Sequence, residues 1–257
     1  NGQSPKLFTT DKELSSSLIN QIYQDRNGFI WIATEDGLNR YDGAKFTIYK
    51  HEPNNEHSLA HNFVRTVFED SKGHLLIGTY IGIQMYDPAT DNFTPLAKLE
   101  DTGETLESNI NSFIERKNGE IWVSGNVLCK LDIKDHLLTV RKVDIAVTSP
   151  GSLFEDKKQN VWMAKGEEGV YQLTPDNQLT LHLSKDNGYV KSICEDQRGN
   201  IYVGSIRKGL FIYDKERKTF VPVDLKEKGE LPVCFLYSGI PNELYIGTDG
   251  KGVAIYN

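Results

Sequence analysis

The sequence predicts an all-β protein assembled from six copies of one four-stranded antiparallel unit. Two observations predict it: an aromatic-centred segment that recurs every 40 to 46 residues, and turn signals that fall at matching places inside each copy. The recurring segments are FIWIAT (29–34), HLLIGT (74–79), EIWVSG (120–125), NVWMAK (160–165), NIYVGS (200–205) and ELYIGT (243–248). Their anchors, Trp31, Leu76, Trp122, Trp162, Tyr202 and Tyr245, lie 45, 46, 40, 40 and 43 residues apart.

Each copy opens on an apolar-patterned strand that ends mostly in acids: INQIYQD, VRTVFED, INSFIER, GSLFED, VKSICED and VCFLYSG. A turn follows in which Gly28, Gly73, Gly119 and Gly199 share one aligned position, where a hairpin needs a positive φ that glycine adopts cheaply. The anchor segment is the second strand. A second turn carries Gly37, Gly82, Gly169, Gly209 or Gly252, with Asn126 near that place in the third copy, and leads into a third strand such as LNRYD or LFIYD. After a polar turn a fourth strand closes the unit, as in KFTIY, NFTPL and TFVPV.

Four short strands in a unit of about 40 residues form a β-propeller blade. Alternating and short-block apolar patterns exclude a helical solenoid, and an immunoglobulin-like sandwich does not account for six copies. One sheet cannot bury both of its faces, whereas blades stacked side by side cover them, so the aromatic anchors are expected between neighbouring blades. The expectation is one β-propeller domain over residues 1–257, its six visible repeats being a six-bladed ring or part of a seven-bladed one. The last repeat ends after its third strand. The segment KLFTT at 6–10 is expected to supply the missing outer strand beside VAIYN and close the ring, hiding an exposed sheet edge.

Hydrophobic residues make up 38% and charged residues 25% of the chain, a globular balance. The formal charge is -7 and the bases are scattered, which excludes nucleic acid as a partner of this segment. No apolar run approaches the roughly 18 to 20 residues that span a bilayer, and NGQSPKLFTT lacks the order of a signal peptide. The chain is then either cytosolic or has lost a leader and any anchor. Cys129, Cys194 and Cys234 have no C-x-x-C spacing and read as small buried hydrophobes, which leaves their redox state open.

The stretches VRTVFEDSKGHLLIGTYIGIQMYD (64–87) and VKSICEDQRGNIYVGSIRKGLFIYD (190–214) resemble the two-component regulator propeller repeat. FIWIATEDGLNRYDG (29–43) is similar to the first such repeat in the sensor region of hybrid two-component systems of Bacteroides-type bacteria. Repeats three and four depart from the pattern, with Ser124-Gly125 and Ala164-Lys165 in place of the Gly-Thr pair. The resemblance implies the periplasmic half of a membrane-spanning regulator, which meets the membrane only through the parent chain. It implies fragments of polysaccharides as ligands and output through a kinase on the other side.

The pairs Glu69-Asp70, Glu155-Asp156 and Glu195-Asp196 have the residue types of a glycoside-hydrolase acid and base, but they recur at one repeat position beside a hairpin. Turn chemistry is the better reading, because a catalytic pair needs no copies. His51, His57 and His61 cluster in a Pro/Asn-rich linker and read as solvated loop residues rather than metal ligands. The run 248–252 lacks the Lys-Ser/Thr ending of a phosphate loop and reads as a turn. No cofactor, metal or catalytic residue is expected.

Propeller ligands sit on loops that repeat in type and vary in chemistry. The loops between second and third strands carry Glu35, Asp36, Tyr80, Asn126, Glu167, Glu168, Arg207, Lys208, Asp249 and Lys251. Eleven residues before each anchor, at the start of the first strand, stand Asn20, Arg65, Asn111, Gly151, Lys191 and Cys234. Fold logic puts both sets on one face. Arg65, Lys191 and Arg207 could pair with carboxylate or sulfate, Tyr80 could stack on a sugar, and Asn20, Asn111, Glu35, Asp36 and Asp249 complete the candidate site. The expected function is a non-catalytic sensor propeller for oligosaccharides or another small ligand. Two alternatives stay open: an interaction or homodimerisation scaffold with the ligand site elsewhere, and a propeller lyase or hydrolase.

Overall fold

The computed structural model describes residues 7–10, 13–183, 188–225 and 231–256. Among these residues there is no helix; the strands form six sheets of the expected blade type, and the fold is an all-β propeller fold. Two compact units are distinguished, residues 1–115 with 119–143 and residues 144–257 with 116–118.

In the first unit, sheet one runs β1 (Ile19–Gln24), β2 (Ile30–Thr34), β3 (Gly37–Tyr41) and β4 (Phe46–Tyr49) in chain order. Sheet two repeats this with β5 (Val64–Glu69), β6 (Leu75–Thr79), β7 (Ile83–Asp87) and the two-residue β8 (Asn92–Phe93). A short strand, β9 (Lys98–Leu99), precedes sheet three, made of β10 (Ser112–Glu115), β11 (Ile121–Ser124), β12 (Leu128–Lys134) and β13 (Leu137–Lys142). β9 joins that sheet as a fifth strand, parallel to β13.

In the second unit, sheet four is β14 (Leu153–Glu155), β15 (Val161–Lys165), β16 (Gly169–Leu173) and β17 (Leu179–Leu183). Sheet five is β18 (Val190–Glu195), β19 (Ile201–Ser205), β20 (Gly209–Asp214) and β21 (Thr219–Pro222). Sheet six has three strands, β22 (Val233–Tyr237), β23 (Leu244–Thr248) and β24 (Val253–Tyr256).

The expected closing strand at 6–10 is not formed over its described residues, 7–10, and Lys6 lies outside them. Phe8 instead lies against β3 and β4, its ring 5.2 Å from Tyr41 and 5.0 Å from Phe46. Aromatic packing on sheet one takes the segment that sequence pattern assigned to a ladder.

The cores lie between consecutive sheets, as stacking requires. In the first unit Trp31, Ala33 and Leu38 of sheet one pack with Val64, Val67 and Ile77 of sheet two, while Leu76 and Met85 pack with Phe113 and Val123 of sheet three. In the second unit Trp162 and Ala164 meet Ile193 and Val203, and Tyr202 meets Val233 and Leu236. Five of the six anchors are buried; Tyr245 of the last sheet is partly exposed.

One repeat position breaks the pattern. Nine residues before each anchor, Val67, Phe113, Leu153, Ile193 and Leu236 are at most 7% exposed, whereas Ile22 is 61% exposed. The face of β1 that carries Ile22 therefore lacks the apolar cover that the equivalent strands have. On the last sheet Phe235 and Ile255 are likewise exposed.

Sheets one and two are also joined by a polar knot. Asp91 Oδ1 accepts from Arg40 at 3.0 Å and from the hydroxyls of Tyr49 and Tyr86 at 2.6 Å each. Arg40 Nη1 also donates to Tyr86, and its guanidinium lies 5.2 to 5.7 Å from the ring centres of Phe29, Trp31, Tyr49 and Tyr86. Desolvation opposes ionisation of Asp91, but the tyrosine hydrogen bonds and the Arg40 charge outweigh it and hold the carboxyl below its usual range. Cys129 and Cys194 are buried free thiols, and burial pushes them up to about 11 and about 12.

Candidate functional site

In sheets one, two, five and six the loop that follows the second strand is fixed to the entry of the first strand of its own sheet. The N–H groups of Glu35, Tyr80, Ile206 and Asp249 donate to the carbonyls of Leu18, Phe63, Tyr189 and Pro232 at 3.1, 3.0, 2.9 and 2.9 Å. The hydroxyl residue that ends the second strand closes the loop from beneath: Thr34 Oγ1 donates to Gly37 at 2.8 Å, Thr79 to Gly82 at 3.1 Å and Thr248 to Gly252 at 2.6 Å. This is the physical content of the Gly-Thr pair. Sheet four has Lys165 there, and its ammonium bridges to Glu168 at 2.7 Å instead.

A second recurrent device stands beside these loops. In sheets one, two, five and six the pairing of first and second strands shifts by one residue, between Ile19 and Gln21, Val64 and Thr66, Val190 and Ser192, and Val233 and Phe235. The extra residues are Asn20, Arg65, Lys191 and Cys234. A bulge leaves one residue outside the ladder and re-aims its side chain, so the strand-start set of candidates is the bulge set wherever a bulge forms. Asn111 instead donates its N–H to Ser124 at 2.8 Å.

On the first unit these devices gather several candidates. Asn20 Nδ2 donates to the Val64 carbonyl at 2.8 Å, beside Arg65. The Arg65 guanidinium lies 5.8 Å from the Phe63 ring centre; Phe63 is 6.1 Å from Tyr80, and Tyr80 is 5.6 Å from His61. Asp36 is held in place, its carboxylate 2.6 Å from Lys50 Nζ and 3.0 Å from Asn62 Nδ2. Glu35 is exposed on the same loop.

On the second unit Arg207 Nη1 is 3.0 Å from Glu167, both well exposed. These two line a polar cleft of about 410 Å³ with Lys165, Glu168 and Gly188. Lys191 is exposed on its bulge, and Asp249 is exposed on the loop of sheet six.

The sequence pattern places His61 in a solvated linker and singles out no role for Phe63. The available signal was the aligned position two before the bulge, where Phe63 and Tyr189 are both aromatic and Leu18 is apolar. The three linker histidines do not act together: Nδ1 of His51 contacts the Leu59 carbonyl at 2.9 Å and that of His57 the Phe93 carbonyl at 3.1 Å, while that of His61 accepts the Phe63 N–H at 2.9 Å.

The carboxylate pairs have structural partners, as turn chemistry requires. Asp25, Asp70, Asp156 and Asp196 each accept two backbone N–H groups of their own hairpin turn at 2.7 to 3.0 Å. The other oxygen accepts from the anchor in three cases, Trp31 at 2.8 Å, Trp162 at 2.9 Å and Tyr202 at 3.4 Å. The glutamates reach outward to another turn: Glu69 binds Arg26 at its Nε (2.6 Å) and its N–H (2.8 Å), and Glu155 binds Arg116 Nε at 2.8 Å and the Lys117 N–H at 2.7 Å. Aspartate ties the turn and glutamate staples it to the adjoining one. The aligned third residue of those turns has positive φ throughout: Gly28, Gly73, Gly119 and Gly199 as expected, and also Gln159 and Asn242.

Comparison with known proteins matches this repeat. The two-component regulator propeller family matches residues 13–36, 58–80 and 184–207, which span the bulge, hairpin and loop of sheets one, two and five. Three stretches of the chain match the two-component regulator propeller repeat. A histidine kinase of Formosa agariphila is 42% identical over 55 residues, 21% of this chain and 4% of the kinase. The extracellular domain of a protein assigned as a one-component system of B. thetaiotaomicron shares the fold at a TM-score of 0.72 and 19% identity, over 93% of this chain and 34% of that one. That of a hybrid two-component system of the same organism does so at 0.63 and 19%, over 97% of this chain and 41% of that one. Virginiamycin B lyase of Staphylococcus aureus also has this fold, at a TM-score of 0.67 and 12% identity over 95% of this chain and 87% of the lyase. The regulator propeller repeats here thus span well under half the length of the sensor proteins that they match.

Proposed function

We propose that this chain is a non-catalytic ligand-recognition propeller in the extracytoplasmic, periplasmic sensor region of a hybrid two-component protein, with oligosaccharides cut from polysaccharides as its ligands. The observation that carries the reading is the loop face. The same backbone bond holds the loops of sheets one, two, five and six, with a threonine cap in sheets one, two and six, while the side chains they present differ from sheet to sheet: Glu35, Tyr80, Arg207 and Asp249. A constant frame with variable tips is what a recognition surface needs. The regulator propeller repeats and the extracellular sensor domains of the same fold support the cellular setting.

Ligand affinity that differs between two arrangements of the parent sensor would shift their populations, and that difference sets the size of the signal. The carboxylates that could serve hydrolysis are engaged in turns, which favours recognition over catalysis. A second reading, an interaction or homodimerisation scaffold, is favoured by the exposed Ile22, Phe235 and Ile255.

Calorimetry across a panel of polysaccharide fragments tests the proposal. Saturable heat with at least one fragment is expected, without product formation. Silence across the panel together with a stable dimer would favour the scaffold, and cleavage of any fragment would favour an enzyme.

A further inference from the structure

The rim of sheet two sets exposed aromatic rings beside an arginine. Tyr80 leaves 53% of its surface exposed and meets His61 at an interplanar angle of 38° and Phe63 at 55°, so the three rings form a faceted shelf rather than a stacked core. Arg65 lies over Phe63, on a bulge that places it outside the ladder. Among the described residues no carboxylate pairs with Arg65. The nearby acid Asp36 is balanced by Lys50 at 2.6 Å and by Asn62 at 3.0 Å. Because His61 Nδ1 accepts the Phe63 N–H, a neutral His61 ring keeps its proton on Nε2 and presents a donor there. Arg65 and His61 thus add two donors, one of them cationic, to an aromatic face.

We propose that His61, Phe63, Arg65 and Tyr80 form a subsite for a sugar ring that bears a carboxylate or sulfate group. Tyr80 stacks on the apolar face of the ring, and Arg65 takes the anion in the forked geometry that guanidinium offers to planar and tetrahedral oxyanions. His61 donates to a ring hydroxyl or to the same anion. A neutral sugar would satisfy the shelf and leave Arg65 without its partner. This subsite rests on the ligand-recognition reading above and adds the ligand's charge to it.

Calorimetry of the full 257-residue chain with tetragalacturonate and a chondroitin sulfate tetrasaccharide tests it, each against a neutral counterpart, the methyl ester and the desulfated, carboxyl-reduced form respectively. At least one acidic probe is expected to bind at least ten-fold more tightly than its neutral partner. Arg65→Gln should remove that preference, Arg65→Lys should keep it at lower affinity, and Tyr80→Ala should weaken acidic and neutral forms alike by about five-fold or more. Retained preference in Arg65→Lys separates loss of the fork from loss of the fold. Equal binding of acidic and neutral forms, or an undiminished preference in Arg65→Gln, would overturn the subsite and leave the sensor reading standing. Absence of binding by both acidic probes would also overturn it, and the broader fragment panel then decides the sensor reading separately.

Discussion

The side-chain amide of Asn20 donates to the carbonyl of Val64 at 2.8 Å, so the bulge of the first sheet grips the strand that carries the bulge of the second. A bulge weakens its own ladder locally, and a bond of this kind restores part of what is lost. Asn20→Ala removes one partly buried hydrogen bond and is expected to cost about 0.5 to 1.5 kcal/mol in urea unfolding. An unchanged midpoint would mean that the two bulges are independent.

Glu69 separates a structural from a catalytic reading of the acidic motif. Its side chain is 7% exposed and receives two bonds from Arg26. Glu69→Ala should cost roughly 1.5 to 3 kcal/mol, the range for hydrogen bonds to a charged group. A residue kept for chemistry would leave the unfolding midpoint unchanged or raise it.

Ile22 and Ile193 offer a matched pair, the same residue at the same repeat position with opposite burial. Ile193→Ala should cost about 2 to 5 kcal/mol by loss of buried surface and cavity formation. Ile22→Ala should stay within about 0.5 kcal/mol of wild type. Equal losses, measured as urea midpoints, would show that the β1 face is covered in solution.

The Asp91 knot predicts a pH dependence of defined sign. Its carboxyl is held below the unfolded value, so its contribution is present above about pH 4 and is lost as pH falls through the lower folded value. Asp91→Asn should be less stable than wild type at pH 7 and lose less on acidification. Asp42, Asp87 and Asp214 shift in the same direction, so the slope should shrink rather than vanish. Parallel curves for the two proteins would contradict the assignment.

What was legible in the sequence followed the repeat. Trp31 and Trp162 could be placed between sheets because their spacing recurs, and Gly28, Gly73 and Gly119 could be placed in hairpins because only a few residues tolerate positive φ. Gln159 escaped because it adopts that conformation, at φ 66°, without being one of those residues. The shelf at His61 and Phe63 escaped for another reason. It is built from a linker outside the periodic strands, and its geometry depends on a bulge that strand periodicity does not reveal. The segment at 7–10 departs from the expected closing strand because a short likeness of KLFTT to KFTIY cannot distinguish a strand from a single aromatic seated against Tyr41 and Phe46.

The most direct test of the recognition reading is hydrogen–deuterium exchange of the chain with and without the tightest-binding oligosaccharide of the fragment panel. The loop face predicts slowed exchange in segments 61–65 and 79–82 or in 188–191 and 205–208, with the hairpin turns at 25–29, 70–74 and 156–160 unchanged. Protection confined to those hairpin turns, or a panel in which nothing binds, would contradict it.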